Sequence, residues 1–217
     1  MTETLTITRD MVAPDGAYTG PDVSDWRGSI IIEANLGTVR FPGWVRATMS
    51  IRALDGSGIE AGWGISAGWG ISAGWGISAG EGISAGWDIS AGWDISAGRG
   101  ISAGEDISAG RRISAGEGIS AGSGISAGWG ISAGSGISAG SGISAGEGIS
   151  AGRGISAGEG ISAGLSITGG WLHAGLRIFA GLCAWRLPTP AECEIRGELR
   201  SGVIAHGTHV PPVKDAA

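Results

Sequence analysis

Cysteine is nearly absent: Cys183 and Cys193 are the only two in 217 residues. They stand ten residues apart, so a bridge and two free thiols both stay open, and the spacing fits no zinc pattern without further ligands. No run of about 18 apolar residues occurs, which excludes an ordinary membrane-spanning helix. The start, Met1-Thr2-Glu3-Thr4-Leu5-Thr6-Ile7, lacks the basic opening and apolar run of a secretory signal. A cytoplasmic location, or release by lysis, is therefore the expectation. Basic charge is also short, at 14 Lys and Arg against 20 Asp and Glu, a net −6. Between Ile59 and Gly170 the acids are Glu60, Glu81, Asp88, Asp94, Glu105, Asp106, Glu117, Glu147 and Glu159, against Arg99, Arg111, Arg112 and Arg153. A surface that tracks nucleic-acid phosphates needs a basic stripe, and this stretch carries the opposite sign.

What is present is a repeat. From Ile59 to Ile167 an isoleucine falls on every sixth residue, nineteen in all, in a unit that reads Ile-Ser-Ala-Gly-X-Gly and varies mainly at X. The 45 glycines do not make the chain collagen-like, because their gaps alternate between four and two residues (Gly62, Gly64, Gly68, Gly70) where a triple helix needs every third position. Nor do they make a flexible linker, which has no use for a periodic isoleucine. With 42% apolar residues the chain has material for a core. A short fixed period means that each unit does the same structural job and buries its apolar face only by stacking on its neighbours.

A period of six does not hold one face of a helix, and two glycines per unit cost about 1 kcal/mol each in a helix interior. In extended backbone, Ile and Ala point to one face and the Ser between them to the other. Ile-Ser-Ala thus reads as a three-residue strand. Gly-X-Gly reads as a corner in which glycine supplies positive φ. X is Trp, Glu, Arg, Ser or Leu, a mixture that belongs on the outside. The expected fold is an all-β solenoid (a β-helix) with columns of Ile and Ala inside and three hexapeptide units per coil. A two-unit coil is the rival. At two-unit spacing the X column Trp63, Trp75, Trp87, Arg99, Arg111, Ser123, Ser135, Glu147, Glu159 is more blocked than the columns at three-unit spacing.

Read from Ala61, the unit Ala-Gly-Trp-Gly-Ile-Ser resembles the hexapeptide repeat of left-handed β-helices, with the large and small inward positions exchanged. The resemblance covers about half the chain and implies fold only. Acyltransferases of that type use a histidine base in a cleft between trimer subunits. Here no histidine lies in the strict repeat and no inserted loop shapes a cleft.

Along the chain we read a lead-in or cap over 1–28, irregular first rungs over 29–58, the strict repeat over 59–170, degenerate terminal rungs over 171–187, and a C-terminal cap and tail over 188–217. Ser29 to Ala34 is the first strong strand. The six-residue beat already shows in Val39, Val45 and Ile51, and an eight-residue step to Ile59 interrupts it. Glu192 to Val210 alternates enough for two or three short strands.

No catalytic constellation, metal site or cofactor motif is legible. His173, His206, His209 and the two cysteines are the only residues for such chemistry, and they read as surface or cap residues. Asp88, Asp94 and Asp106 replace the second glycine of the corner, as Arg112 does, and read as turn residues bonding nearby amides. The candidate binding residues are Trp63, Trp69, Trp75, Trp87, Trp93 and Trp129, with Trp171 further on. Outward indoles at corner positions form apolar ridges of the kind that mark interfaces, unless residues 1–50 fold back over them. The expected function is a non-enzymatic scaffold or binding rod, self-associating or docking a protein partner, without nucleic acid or membrane. The alternatives are an anti-defence inhibitor of the phage type whose acidic surface mimics nucleic acid, an ice-binding protein using the serine ladder Ser66 to Ser162, and a hexapeptide-type acyltransferase.

Overall fold

An Ile-Ser-Ala triplet is too short to persist as a strand alone and becomes one by pairing on both sides. In the computed structural model, which describes residues 3–212, each triplet from Ile65–Ala67 to Ile149–Ala151 is a three-residue strand. Met1 and Thr2 of the lead-in and residues 213–217 of the tail lie outside the described residues. Each triplet pairs in parallel with the third triplet before it and the third after it: Ile83 lies between Ile65 and Ile101, and Ile119 between Ile101 and Ile137. Three units therefore make one coil, about ten coils stack, and the fold is a parallel β-solenoid of the hexapeptide-repeat kind. The two-unit coil is excluded. The repeat isoleucines are at most 1% exposed and the alanines beside them are buried too, so the core is a set of continuous Ile and Ala columns at about 4.8 Å per rung.

The N-terminal coils are wider. We label β1 (Glu3–Ile7), β2 (Gly28–Ile32), β3 (Gly37–Phe41), β4 (Val45–Ala47), β5 (Ile51–Ala53) and β6 (Ser57–Ala61). Val39, Val45 and Ile51 take the isoleucine position and pair with Ile59, Ile65 and Ile71, each one coil on. What lengthens these coils is the eight-residue step from Ile51 to Ile59. A turn absorbs the excess, with Gly56 at φ +74°, and it stacks on the turn one coil earlier, where Asn35 has φ +60° and its N–H donates to the Asp55 carbonyl. Ser57 is fully buried there; its hydroxyl donates to the Glu33 carbonyl (2.6 Å) and accepts the Leu36 N–H (3.0 Å), so its burial leaves no unmet bond. β1 lies on β2, Leu5 against Ile30 and Ile7 against Ile32, and closes the stack.

At the other end one long strand, Ile167–Phe179, makes a whole coil, placing Ile167, Leu172 and Ile178 over Ile149, Ile155 and Ile161. Glu194–His206 makes another, with Ile195, Leu199 and Ile204 over the same three, and Thr208–Val210 begins the next on Glu194–Arg196. The segment between the two long strands leaves the stack after Gly181 and Leu182, whose N–H groups are the last to donate to the preceding coil, and runs outside it through Pro188 and Pro190. It is tied by Glu192, which accepts from the Arg186 guanidinium and from the Thr189 amide and hydroxyl. These bonds, those of Arg186 foremost, lower the Glu192 carboxyl from 4.5 to about 2. A depressed carboxyl stabilises the loop fully above the ordinary value and ceases to as pH falls towards about 2. We expect the side-chain carbon of Glu192, followed by carbon NMR, to titrate near that lower value. A midpoint in the ordinary carboxylate range would mean that Arg186 does not hold it in solution.

The repeat glycines depart from the sequence expectation. No glycine between Gly62 and Gly164 has positive φ; the positive ones are Gly16, Gly28, Gly37, Gly56, Gly181, Gly197, Gly202 and Gly207, outside the strict repeat. The first glycine of each corner is needed because coils touch there. A Cβ on Gly80, Gly98 or Gly116 would lie 2.0 to 2.1 Å from the carbonyl oxygen of the corresponding glycine one coil earlier. At the second glycine the nearest atom is a carbonyl of the following coil, 3.4 Å away for Gly82 and Gly100 and 3.5 Å for Gly118. That contact admits a side chain, which is why Asp88, Asp94, Asp106, Arg112 and Ser166 stand at this position and nothing but glycine stands at the first.

The aspartates do bond backbone amides, but across coils. Oδ1 of Asp88 accepts the Asp106 N–H (3.0 Å), that of Asp94 the Arg112 N–H (3.0 Å), and that of Asp106 the Gly124 N–H (2.6 Å). The other two corner amides already donate to the preceding coil, as Gly86 does to Ala67 and Trp87 to Trp69. Each aspartate thus satisfies the one corner amide that the backbone ladder leaves over.

Candidate interaction surface

Three corners per coil distribute the X side chains into three columns. The first reads Trp63, Glu81, Arg99, Glu117, Ser135, Arg153; the second Trp69, Trp87, Glu105, Ser123, Ser141, Glu159; the third Trp75, Trp93, Arg111, Trp129, Glu147, Leu165. Each column is fixed by the N–H of X donating to the carbonyl of X one coil earlier. The six tryptophans singled out from sequence are therefore not one cluster. Of these six, Trp63 is the one on the first corner, above the ion pair of Glu81 and Arg99 (3.6 Å). Trp69 and Trp87 share the second corner. Trp75, Trp93 and Trp129 share the third.

Rung spacing is close to the separation at which rings stack, so the columns order their own indoles. Trp69 and Trp87 lie nearly parallel with centroids 5.6 Å apart, and Trp75 and Trp93 likewise at 5.0 Å. Arg111 continues the third column, its guanidinium 4.6 Å from the Trp93 ring and 5.3 Å from that of Trp129. Stacked pairs contribute about 0.5–1.5 kcal/mol beyond burial, and an exposed cation over a ring about 0.5–1 kcal/mol. Further along the same corner, Trp185 approaches the Gly146 backbone. Trp63, Trp69, Trp87, Trp93 and Trp129 remain 42 to 57% exposed, and Trp75 is half-buried. The lead-in does not cover these five, because β1–β3 lie at the end of the stack and not along its corners.

The second-glycine positions of the first corner form a different surface. Gly82, Gly100, Gly118 and Gly136 line up without a side chain, and the serines after them (Ser84, Ser102, Ser120, Ser138) run alongside in a groove of about 1140 Å³. Trp44 and Trp171 occupy the same column at its two ends, where their rings lie on Gly64 and Gly154. Trp44 is a residue the sequence reading passed over. Its signal was present, since Val45 keeps the isoleucine beat and Trp44 immediately precedes it. Each ring carries an arginine, Arg46 at 3.9 Å on Trp44 and Arg200 at 4.5 Å on Trp171.

The histidines and cysteines do not converge. His173 Nδ1 is 2.6 Å from Ser201 Oγ, but that hydroxyl also lies 3.0 Å from the Ala174 carbonyl, to which it donates its proton. His206 bonds the Ala180 carbonyl and His209 that of Gly197. Cys183 and Cys193 are unbridged. Among the described residues no three His, Cys, Asp or Glu are placed to hold a metal ion, and no helix is long and apolar enough to cross a membrane. Comparison with protein-family models, with curated proteins and with solved structures gave no match.

Proposed function

We propose that the chain is a non-enzymatic rod that docks protein surfaces, a second copy of itself or a partner, along its tryptophan corners. The observation that carries this reading is the third corner, where Trp75, Trp93, Arg111 and Trp129 form one continuous aromatic and cationic ridge. Tryptophan and arginine are the residues most enriched at binding hot spots. The ridge is already ordered by its own stacking, so association immobilises few additional side chains. The acidic-mimic alternative is weakened by Asp88, Asp94 and Asp106, whose carboxylates are engaged by the scaffold's own amides. The ice-binding alternative is weakened because every serine column is interleaved with charged or indole-bearing corners.

The test compares two double variants, Trp93→Ser with Trp129→Ser on the third corner and Trp69→Ser with Trp87→Ser on the second, by sedimentation equilibrium and by capture of partners on immobilised chain. The third-corner pair is expected to lower the assembled mass or abolish capture while the melting profile stays close to that of the parent. An assembly state and capture profile unchanged in both pairs would remove the proposal.

A further inference from the structure

The two ends of the stack are finished differently. At the N-terminal end the apolar side chains that close it, Leu5, Ile7, Val12 and Val23, are at most 8% exposed. At the C-terminal end the strand Glu194–His206 is the last complete coil, and Thr208–Val210 pairs with it only across Glu194–Arg196. Ile195, under that short strand, is fully buried, whereas Leu199 and Ile204 are only partly covered. Among the described residues nothing pairs with the outer edge of Glu198–His206. Each repeat isoleucine donates its N–H to the following coil, as Ile71 does to Asp88 and Ile89 to Asp106. Ile204 stands in that same column with no coil following it.

An open sheet edge flanked by apolar side chains is a template for further pairing, and a solenoid needs its last coil covered. Pro211 and Pro212 do not continue the coil, because they have no N–H for the ladder. The shape of the end selects what fits it. A coil climbs one rung of about 4.8 Å per revolution, so its last three sides form a staircase: the Leu199 side is lowest, the Ile204 side a third of a rung higher, and Thr208–Val210 another third above that. A second copy turned over about a two-fold axis through the Ile204 side presents the same staircase reversed. Lowest then meets highest, middle meets middle, and all three sides close at one rung spacing. A two-fold axis through either other side leaves at least one side short of a rung.

We infer that this end binds a second copy of the chain, tail to tail, by antiparallel pairing centred on Ile204. The register agrees on both sides of the axis. His209 lies five residues after Ile204 and Leu199 five before it, so Ile204 meets its own copy and His209 meets the partner's Leu199. No like charges face each other: Arg200 falls opposite Thr208, and Glu198 opposite Val210. His209 enters the seam with its Nε2 already bonded to the Gly197 carbonyl (2.9 Å). The junction covers Leu199 and Ile204 and joins the apolar columns of two rods into one. It lies at the end of the stack, away from the third-corner ridge, and does not depend on it.

The experiment is sedimentation equilibrium of the full chain carrying Trp93→Ser and Trp129→Ser, so that the ridge does not contribute. That chain is expected to approach twice 21.5 kDa as its concentration rises. Adding Ile204→Glu, which sets two carboxylates against each other on the two-fold axis, is expected to weaken association at least about tenfold. Leu176→Glu, at an exposed position one coil back, is the control and leaves association unchanged. A second measurement does not rest on Ile204: with Cys183→Ser and Cys193→Ser, the pair Val203→Cys and Ala205→Cys is expected to form intermolecular disulfides on mild oxidation, since residues facing each other beside the axis have Cα atoms about 4.5–5.5 Å apart. Removing residues 213–217 is expected to leave the assembled mass, less those residues, unchanged. A monomer at every concentration, association undiminished by Ile204→Glu, an equal loss in the control, no disulfide between copies, or a dimer that forms only once residues 213–217 are removed would each overturn the inference.

Discussion

Replacing Gly116 by alanine is expected to destabilise the rod by about 3 kcal/mol or more, whereas the same change two residues later, at Gly118, is expected to be neutral or stabilising by about 0.4–1 kcal/mol. The asymmetry follows from which coil each glycine faces. A methyl on Gly116 would lie 2.0 Å from the Gly98 oxygen and 3.0 Å from its carbon, both backbone atoms held in the ladder, so two coils must part to admit it. Parting them strains the adjacent bond from the Gly116 N–H to the Ala97 carbonyl (3.1 Å). A methyl on Gly118 has its nearest neighbour at 3.5 Å, and φ there is not positive, so alanine keeps the native backbone while reducing the freedom of the unfolded chain. Urea denaturation of the two variants side by side checks this. Equal destabilisation of both would show that conformational freedom, not coil contact, is what the repeat glycines supply.

Ile119→Ala is expected to cost about 2–5 kcal/mol, towards the upper part of that range, while Ser120→Ala stays within about 0.5 kcal/mol. Ile119 is 1% exposed and lies between Ile101 and Ile137, whose strands are fixed in register by the ladder. Those neighbours cannot slide along the axis to fill the space left, so most of the cavity persists. Ser120 points outward from the same strand and loses only a solvated hydroxyl. Because contacts run only between adjacent coils, native-state hydrogen exchange should place the loss around the damaged rung. A small effect at Ile119, comparable to that at Ser120, would contradict a packed column.

The solenoid itself was readable because the isoleucine period and the Ile-Ser-Ala alternation are both one-dimensional signals that packing merely repeats. The coil length was less so, since two-unit and three-unit coils both satisfy a period of six; it is strand pairing that decides, and the two-unit blocks of X residues do not correspond to columns. Glycine was misread for a physical reason. Positive φ and close backbone approach both demand that residue, and its name does not tell them apart. The pattern of exceptions does: the first glycine is never replaced in eighteen units, while the second yields to Asp88, Asp94, Asp106, Arg112 and Ser166. Of the candidate surface, the outward placement of the tryptophans followed from the variety of X. Their division among three corners, and the sandwiching of Arg111 between Trp93 and Trp129, required the coil to be closed. The groove was hidden because what defines it is the absence of side chains at Gly82, Gly100, Gly118 and Gly136, bracketed by Trp44 and Trp171 from segments far apart in the chain.

Ile59 and Ile167, the first and last of the strict series, stand in one column, six coils apart. The uninterrupted part of the rod therefore contains a whole number of revolutions, and its two terminal caps keep a fixed angular phase. Lengthening or shortening by one full revolution would change the reach of the molecule and nothing else. Gain or loss of a single hexapeptide would instead turn one cap by a third of a revolution against the other, bringing a different flank into line with Trp44 at one end and Trp171 at the other. Rod length in this protein is thus free to vary only in steps of three units if its two ends are to address the same side.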